Sequence, residues 1–167
     1  LIIPAIKNSV SASSLLPGDV IRTRSGTTVE ITNTDAEGRL ILCEALTAAC
    51  DDEPDYLFDF ATLTGAARVA LGPDLPALFS NNDALGSELQ CISNEVNDPV
   101  WQLPLYKGYL AYMKSELADL MNSSSSSFAG AITAALYLQE FVSGTVKWAH
   151  LDAYCWNPKL TSGYAVG

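Results

Sequence analysis

The strongest constraint on the fold is the run Tyr56-Leu57-Phe58-Asp59-Phe60-Ala61, which is apolar except for Asp59. An apolar run of this length with several aromatic residues is typical of a strand buried on both faces of a parallel sheet. The residues Thr62-Leu63-Thr64-Gly65 then leave the strand, and small residues predict a helix through Ala70. This order of strand, connection and helix indicates an α/β protein.

The rest of the chain alternates in the same way. Thr-, Val- and Ile-rich segments predict a hairpin of residues 20–24 and 27–31 around Ser25-Gly26. Periodicity predicts helices over 39–50, 83–95 and 129–142, strands over 77–80 and 147–151, a helix or irregular turn over 106–113, and loops over 99–104 and 122–127. We therefore expect an α/β fold with a mostly parallel, mixed sheet flanked by helices on both faces, and the 167 residues fit one domain.

A short acidic and basic stretch stands between the hairpin and the first long helix. Asp35, Glu37 and Arg39 occupy every second position, with only Ala36 and Gly38 between them. In an extended or turning backbone alternate side chains point the same way, so these three could converge on one small volume. The small residues between them would let backbone, metal or substrate come close.

The helix that follows would place both carboxylates at its positive end. Unpaired amides and the helix dipole favour ionised carboxylates there, and such oxygen donors suit a divalent cation. The alternative is an acidic N-cap with a local arginine pair, which is common at helix starts. The residue chemistry alone leaves both explanations open.

Asn33-Thr34-Asp35-Ala36-Glu37-Gly38-Arg39-Leu40 resembles the signature of the leucyl (cytosol) aminopeptidase family, which are dinuclear-metal exopeptidases. Further segments resemble that family in the same order: residues 16–20, 59–66, 101–105, Lys114-Ser115 with Ala118-Asp119, 129–135 and 148–152. The resemblance covers nearly the whole chain. It implies hydrolysis of N-terminal residues, leucine-like ones preferred, from a peptide substrate.

The resemblance also implies roles for individual residues. Asp35 would be a ligand of one metal and Glu37 would bridge two, usually zinc, with manganese, magnesium or cobalt able to replace one. Arg39 would hold the developing charge of the reacting carbonyl together with a bound bicarbonate that shuttles protons. The connection carrying Thr62, Leu63 and Gly65 would bind the substrate peptide through its backbone. The alternative for that connection is an ordinary strand-to-helix turn.

Other polar and aromatic residues are interpreted as structural. We expect Asp59 to be a carboxylate satisfied by nearby amides, and His150, the single histidine, to be a satisfied core residue. Asp152 is assigned a structural role as well. Packing is predicted for all three tryptophans: Trp101, Trp148 and Trp156.

Composition excludes some classes of function. A net charge of −10 leaves no basic face for nucleic acid. No run approaches the ~20 apolar residues of a membrane span. Four cysteines without Cys-x-x-Cys spacing indicate buried thiols in a reducing compartment, so a cytoplasmic location is expected. With 49% hydrophobic and 17% charged residues, some surface is expected to be covered by other protein, and the family resemblance implies a homo-hexamer.

The chain departs from the family in its metal ligands. The family's further ligands, a lysine and two aspartates, and a second catalytic lysine lie upstream of the signature, where this chain offers only Lys7 and Asp19 in other contexts. We therefore expect residues 1–167 to be the C-terminal portion of a catalytic domain, inactive alone. The alternative is a non-catalytic fragment or paralogue that acts in assembly or binding.

The serine-rich loop is a second departure, because the family typically has a glycine-bearing loop near its substrate pocket. Phe128 beside this loop is expected to narrow the pocket, which leaves the leucine preference open.

Overall fold

The computed structural model describes residues 1–6 and 14–156, so Lys7 lies outside the described residues. In chain order the elements are β1 Val20–Arg22, β2 Thr28–Glu30, a 3-10 turn Thr34–Ala36, α1 Glu37–Cys50, β3 Tyr56–Ala61, α2 Gly65–Leu71, β4 Ala77–Ser80, α3 Asp83–Glu95, β5 Trp101–Gln102, a 3-10 helix Lys107–Met113, β6 Leu120–Met121, α4 Gly130–Gln139 and β7 Lys147–Asp152. No helix among these residues is long and apolar enough to cross a membrane.

The main sheet has four strands in the order β3-β7-β4-β5. The pairs β3–β7 and β4–β5 are parallel, whereas β4 and β7 are antiparallel. A second sheet of order β1-β2-β6 contains the predicted hairpin, with Arg22 opposite Thr28. The mixed sheet expected from the sequence is therefore confirmed, although the strands divide between two sheets.

Helices cover both faces of the main sheet, as expected. Side chains of β4 alternate between these faces because the strand period is two. Ala77 and Phe79 pack with the alanines of α2 and α4, and Leu78 packs with Leu85 of α3. The largest cluster joins α1 and α4 around Trp148, which is fully buried.

Strand β3 differs from its prediction, because it is not buried on both faces within the described residues. Tyr56, Phe58 and Phe60 are 50%, 43% and 71% exposed, while Asp59 on the opposite face is 8% exposed. The physical reason is position: α3 packs against β4, β5 and β7 and leaves β3 uncovered. β3 is also a terminal strand of the sheet, with one unpaired edge among the described residues.

The prediction missed the two shortest strands. β5 lies inside the predicted loop 99–104, and β6 lies before the serine-rich segment. Two residues carry no periodicity, so only pairing with β4 and β2 defines these strands. The packing predicted for the tryptophans holds for Trp148 but is wrong for Trp101 and Trp156, which are 51% and 54% exposed.

Candidate functional site

A cleft of about 720 Å³ lies between the start of α1 and the connection from β3 to α2. It brings together all of the site residues predicted from the sequence: Asp35, Glu37, Arg39, Thr62, Leu63 and Gly65. The two segments approach closely, because a Cβ atom at Gly38 would lie 3.6 Å from Cδ1 of Leu63. Residues separated in sequence by a strand and a helix thus share one cleft.

The backbone that carries the two carboxylates turns into a helix, which is the turning rather than the extended form of the two that were expected. Asp35 lies in the 3-10 turn and Glu37 is the first residue of α1. Helical residues two positions apart do not face each other, so strand-like alternation is not what brings them to the cleft. Because the turn leads directly into the helix, both side chains lie at the positive end predicted for them.

The structure does not support the alternative of an acidic N-cap. The cap of the 3-10 turn is Asn33, whose Oδ1 accepts the Asp35 N–H at 2.9 Å, and α1 begins without a side-chain cap. Asp35 and Glu37 are exposed, and among residues 1–6 and 14–156 neither carboxylate forms a hydrogen bond or ion pair. Both carboxylates are thus free of structural partners there.

Arg39 is the most desolvated charge in the cleft. Its guanidinium lies over the Tyr137 ring, 5.8 Å from the centroid. Burial lowers the pKa of Arg39, and the nearby Tyr137 and Asp152 oppose this effect. Its Nε and Nη1 atoms are buried and have no hydrogen-bond partner in the described part of the chain. Unpaired buried donors of this kind are suited to an anion or a developing oxyanion.

Asp152 shapes the connection between β3 and α2. Its Oδ1 accepts the N–H groups of Leu63 and Thr64 at 2.9 and 3.1 Å, and its Oδ2 accepts the Thr64 hydroxyl at 2.6 Å. Thr64 Oγ1 in turn accepts the Ala67 N–H and caps α2. The structural role predicted for Asp152 is therefore confirmed, and it fixes the segment that carries Leu63 and Gly65.

Asn122 is a positioning residue that the sequence interpretation missed. It is fully buried, and its Oδ1 accepts the N–H groups of Thr32 and Asn33 at 2.9 and 3.2 Å. Its Nδ2 donates to the Asn33 carbonyl at 2.7 Å. These bonds hold the segment that leads into the turn of Asp35. The only sequence signal was an amide beside a run of serines, which resembled a loop.

Asn122→Ala is expected to destabilise the protein by about 1–2 kcal/mol, because the partly buried N–H groups of Thr32 and Asn33 would lose their acceptor. The expected measurement is a lower midpoint of urea unfolding with an unchanged slope. Ser127→Ala, at an exposed position of the same loop, serves as the control, and equal midpoints for the two variants would contradict the assignment.

Three further predictions need correction. Asp59 is structural as predicted, but its partners are ring N–H groups rather than amides: Trp148 Nε1 lies 2.6 Å and His150 Nδ1 2.5 Å away. His150 is buried as expected but only half satisfied, because its Nε2 has no partner among the described residues. Phe128 is 78% exposed and does not line the cleft, so the predicted narrowing is wrong.

The metal donors in the cleft are few. No group of three or more His, Cys, Asp or Glu side chains in the described ranges is placed to hold a metal ion. Asp35 and Glu37 supply oxygen ligands of the type that divalent cations take, but affinity and geometry require more ligands than two. The two carboxylates therefore fit part of a metal site, and a complete site would need further ligands.

Comparison with known proteins identifies relatives of the whole chain. Residues 1–165 match the model of the cytosol aminopeptidase family, catalytic domain. A probable cytosol aminopeptidase of Prochlorococcus marinus (strain MIT 9312) is 44% identical over 99% of this chain. The crystal structure of cytosol aminopeptidase from Coxiella burnetii is 53% identical, covers 97% of the chain and superposes with a TM-score of 0.92. A mutant of tomato leucine aminopeptidase is 41% identical over 92% of the chain, with a TM-score of 0.87.

The chain spans about a third of the length of these proteins. It covers 35% of the Prochlorococcus and Coxiella proteins and 30% of the tomato protein.

Proposed function

Because the chain belongs to the cytosol aminopeptidase family, we propose that it carries the peptide-binding cleft and part of the metal site of a metal-dependent aminopeptidase. The reaction is release of N-terminal residues, leucine-like ones preferred, from peptides. The observation that carries this proposal is the shared cleft of Asp35, Glu37 and Arg39 with the connection from β3 to α2. The family membership and the unpartnered carboxylates support it together.

Asp35 and Glu37 are the proposed metal ligands, Asp35 for one ion and Glu37 as a bridge between two. Zinc is the proposed metal, with manganese, magnesium or cobalt able to replace it in one position. When bound, such a pair of ions acidifies a water molecule and stabilises negative charge on the substrate. The two carboxylates would hold the ions in the cleft that they share with the substrate connection.

Arg39 is the proposed electrostatic group of the site. Its buried, unpaired Nε and Nη1 donors are oriented before substrate binds, so they can stabilise developing negative charge without reorganisation. Burial strengthens this interaction, because charges interact more strongly where water is excluded. The same donors suit a bicarbonate ion, which we propose as the proton carrier of the site.

The connection with Thr62, Leu63 and Gly65 is the proposed peptide-binding segment. Asp152 accepts hydrogen bonds from the Leu63 and Thr64 N–H groups. The Leu63 carbonyl and the Gly65 N–H form no hydrogen bond with another described residue. Gly65 is exposed and has no side chain, so a peptide backbone can approach it closely. These free groups would orient the scissile bond toward the metals.

We propose further that the chain is the C-terminal portion of a longer catalytic domain. The missing ligands would be a lysine and two aspartates from the preceding sequence, together with a second, catalytic lysine. The assembled protein is proposed to be a cytoplasmic homo-hexamer that binds neither nucleic acid nor membrane.

The full-length protein is expected to hydrolyse leucyl-p-nitroanilide with zinc or manganese bound, and a chelator should abolish this activity. Residues 1–167 alone are expected to show no turnover, because two carboxylates are an incomplete ligand set. The measurement is release of p-nitroaniline by both proteins at equal metal concentration. A full-length protein that remains inactive with every one of these metals would contradict the proposed function. Robust turnover by residues 1–167 alone would contradict the proposal that further metal ligands come from the preceding sequence.

A further inference from the structure

Arg68 is a cation beside the cleft that the proposed mechanism does not use. It lies in α2, and its guanidinium is held over the Tyr154 ring, 4.7 Å from the centroid. The ion pairs among residues 1–6 and 14–156 are Arg24 with Asp51 and His150 with Asp59, so Arg68 has no carboxylate partner there. The chain has a net charge of −10, yet this cation contacts an aromatic ring and no carboxylate within the described residues.

A second cavity of about 440 Å³ surrounds this guanidinium, lined also by Tyr154 and Trp156. It adjoins the main cleft, because Thr62, Thr64 and Gly65 line both. The junction is close: Nη2 of Arg68 lies 4.0 Å from the position of a Cβ atom on Gly65. A ligand that follows the connection out of the main cleft would therefore meet Arg68.

The two cavities share the connection but differ in their other lining residues. Asp35, Glu37 and Arg39 line only the main cleft, whereas Arg68 and Tyr154 line only the second cavity. An aminopeptidase places the substrate's first residue at the metals, so the rest of the peptide must leave along the connection. The second cavity is then on the side of the leaving group.

We propose that Arg68 and Tyr154 form a carboxylate-binding subsite for the leaving-group side of short peptide substrates. The proposal rests on the proposed function, since that function determines the direction in which the substrate peptide runs through the cleft. A guanidinium presents paired N–H donors that match the two oxygens of a carboxylate. The carboxylate can come from the C-terminus of a dipeptide or from an acidic side chain after the scissile bond, and the same geometry serves both.

The test compares Arg68→Gln with the wild type in the full-length, metal-loaded protein. The substrates form two matched pairs. Leu-Gly ends in a carboxylate and Leu-Gly-amide has none. Leu-Asp-amide carries its only carboxylate on a side chain, and Leu-Asn-amide is its neutral counterpart. We expect kcat/KM to fall about tenfold for Leu-Gly, Leu-Asp-amide or both, because a charge-assisted hydrogen bond is lost. The two neutral amides should change less than twofold.

Two further variants separate charge from structure. Arg68→Lys keeps the charge and is expected to recover part of the lost kcat/KM, while Arg22→Gln, at an exposed arginine of β1, should affect no substrate. Equal losses for all four substrates, or no loss for any, would overturn the subsite and leave the peptidase intact. A wild-type protein that cleaves none of them would overturn the proposed function, and the subsite with it.

Discussion

Glu37→Gln is expected to lower kcat of the full-length protein for leucyl-p-nitroanilide by on the order of 1,000-fold, the upper range for loss of one group that stabilises transition-state charge. Glutamine keeps the shape of the side chain but removes the charge that would bridge two cations. Glu37 is exposed and has no partner in the described residues, so its replacement breaks no native contact there. Activity and metal content should therefore fall while the unfolding midpoint stays the same.

The measurements are kcat, the number of metal ions bound per chain, and the thermal midpoint of the metal-free protein. Glu88→Gln is the matched control, because Glu88 is an exposed glutamate on α3, away from the cleft. Glu37→Gln protein that retains both metal content and turnover would remove this residue from the site.

Asp59→Ala is expected to cost about 3–5 kcal/mol of stability, as is usual when one partner of a buried polar pair is removed. The substitution leaves Trp148 Nε1 and His150 Nδ1, both on fully buried side chains, without their acceptor. An unpaired buried donor loses its bond to water without replacement, and here two donors share one carboxylate. The loss should appear as a lower free energy of unfolding in urea.

Asp59→Asn separates shape from hydrogen bonding, since an amide keeps one acceptor oxygen and should lose less stability than alanine. Asp55→Ala, at an exposed position just before β3, should change stability by no more than about 0.5 kcal/mol. An Asp59→Ala protein within 1 kcal/mol of wild type would show that the carboxyl group is not what satisfies the two rings.

Local sequence signals predicted the elements whose boundaries are set locally. The bounds of β3 and β4 follow from apolar runs between turn residues, and those of α3 follow from the helical spacing of its apolar residues. Position within the sheet has no such signal. The exposure of Phe58 and Phe60 depends on where α3 packs, which the residues of β3 do not encode.

The candidate site shows the same difference between local signals and long-range contacts. The residues that line the cleft could be named because their motifs are contiguous in sequence. The contacts that support them could not be predicted, because each is long-range: Asn122 with the segment before Asp35, Asp152 with Leu63, and Tyr137 with Arg39. Only the structural role of Asp152 was predicted, without its partners. Arg68 also carried no signal, since only the contact with Tyr154 brings it to the junction of the two cavities.

The uncovered aromatic side of β3 has a consequence for any assay on the isolated chain. A strand with free backbone groups along one edge, and apolar rings on its open side, is a template onto which a strand of another molecule can add. Isolated chains would then tend to aggregate. In an aggregate the clefts are inaccessible to substrate, whether or not they could bind metal. Absence of turnover therefore says something about metal ligands only when light scattering shows that the sample is monodisperse.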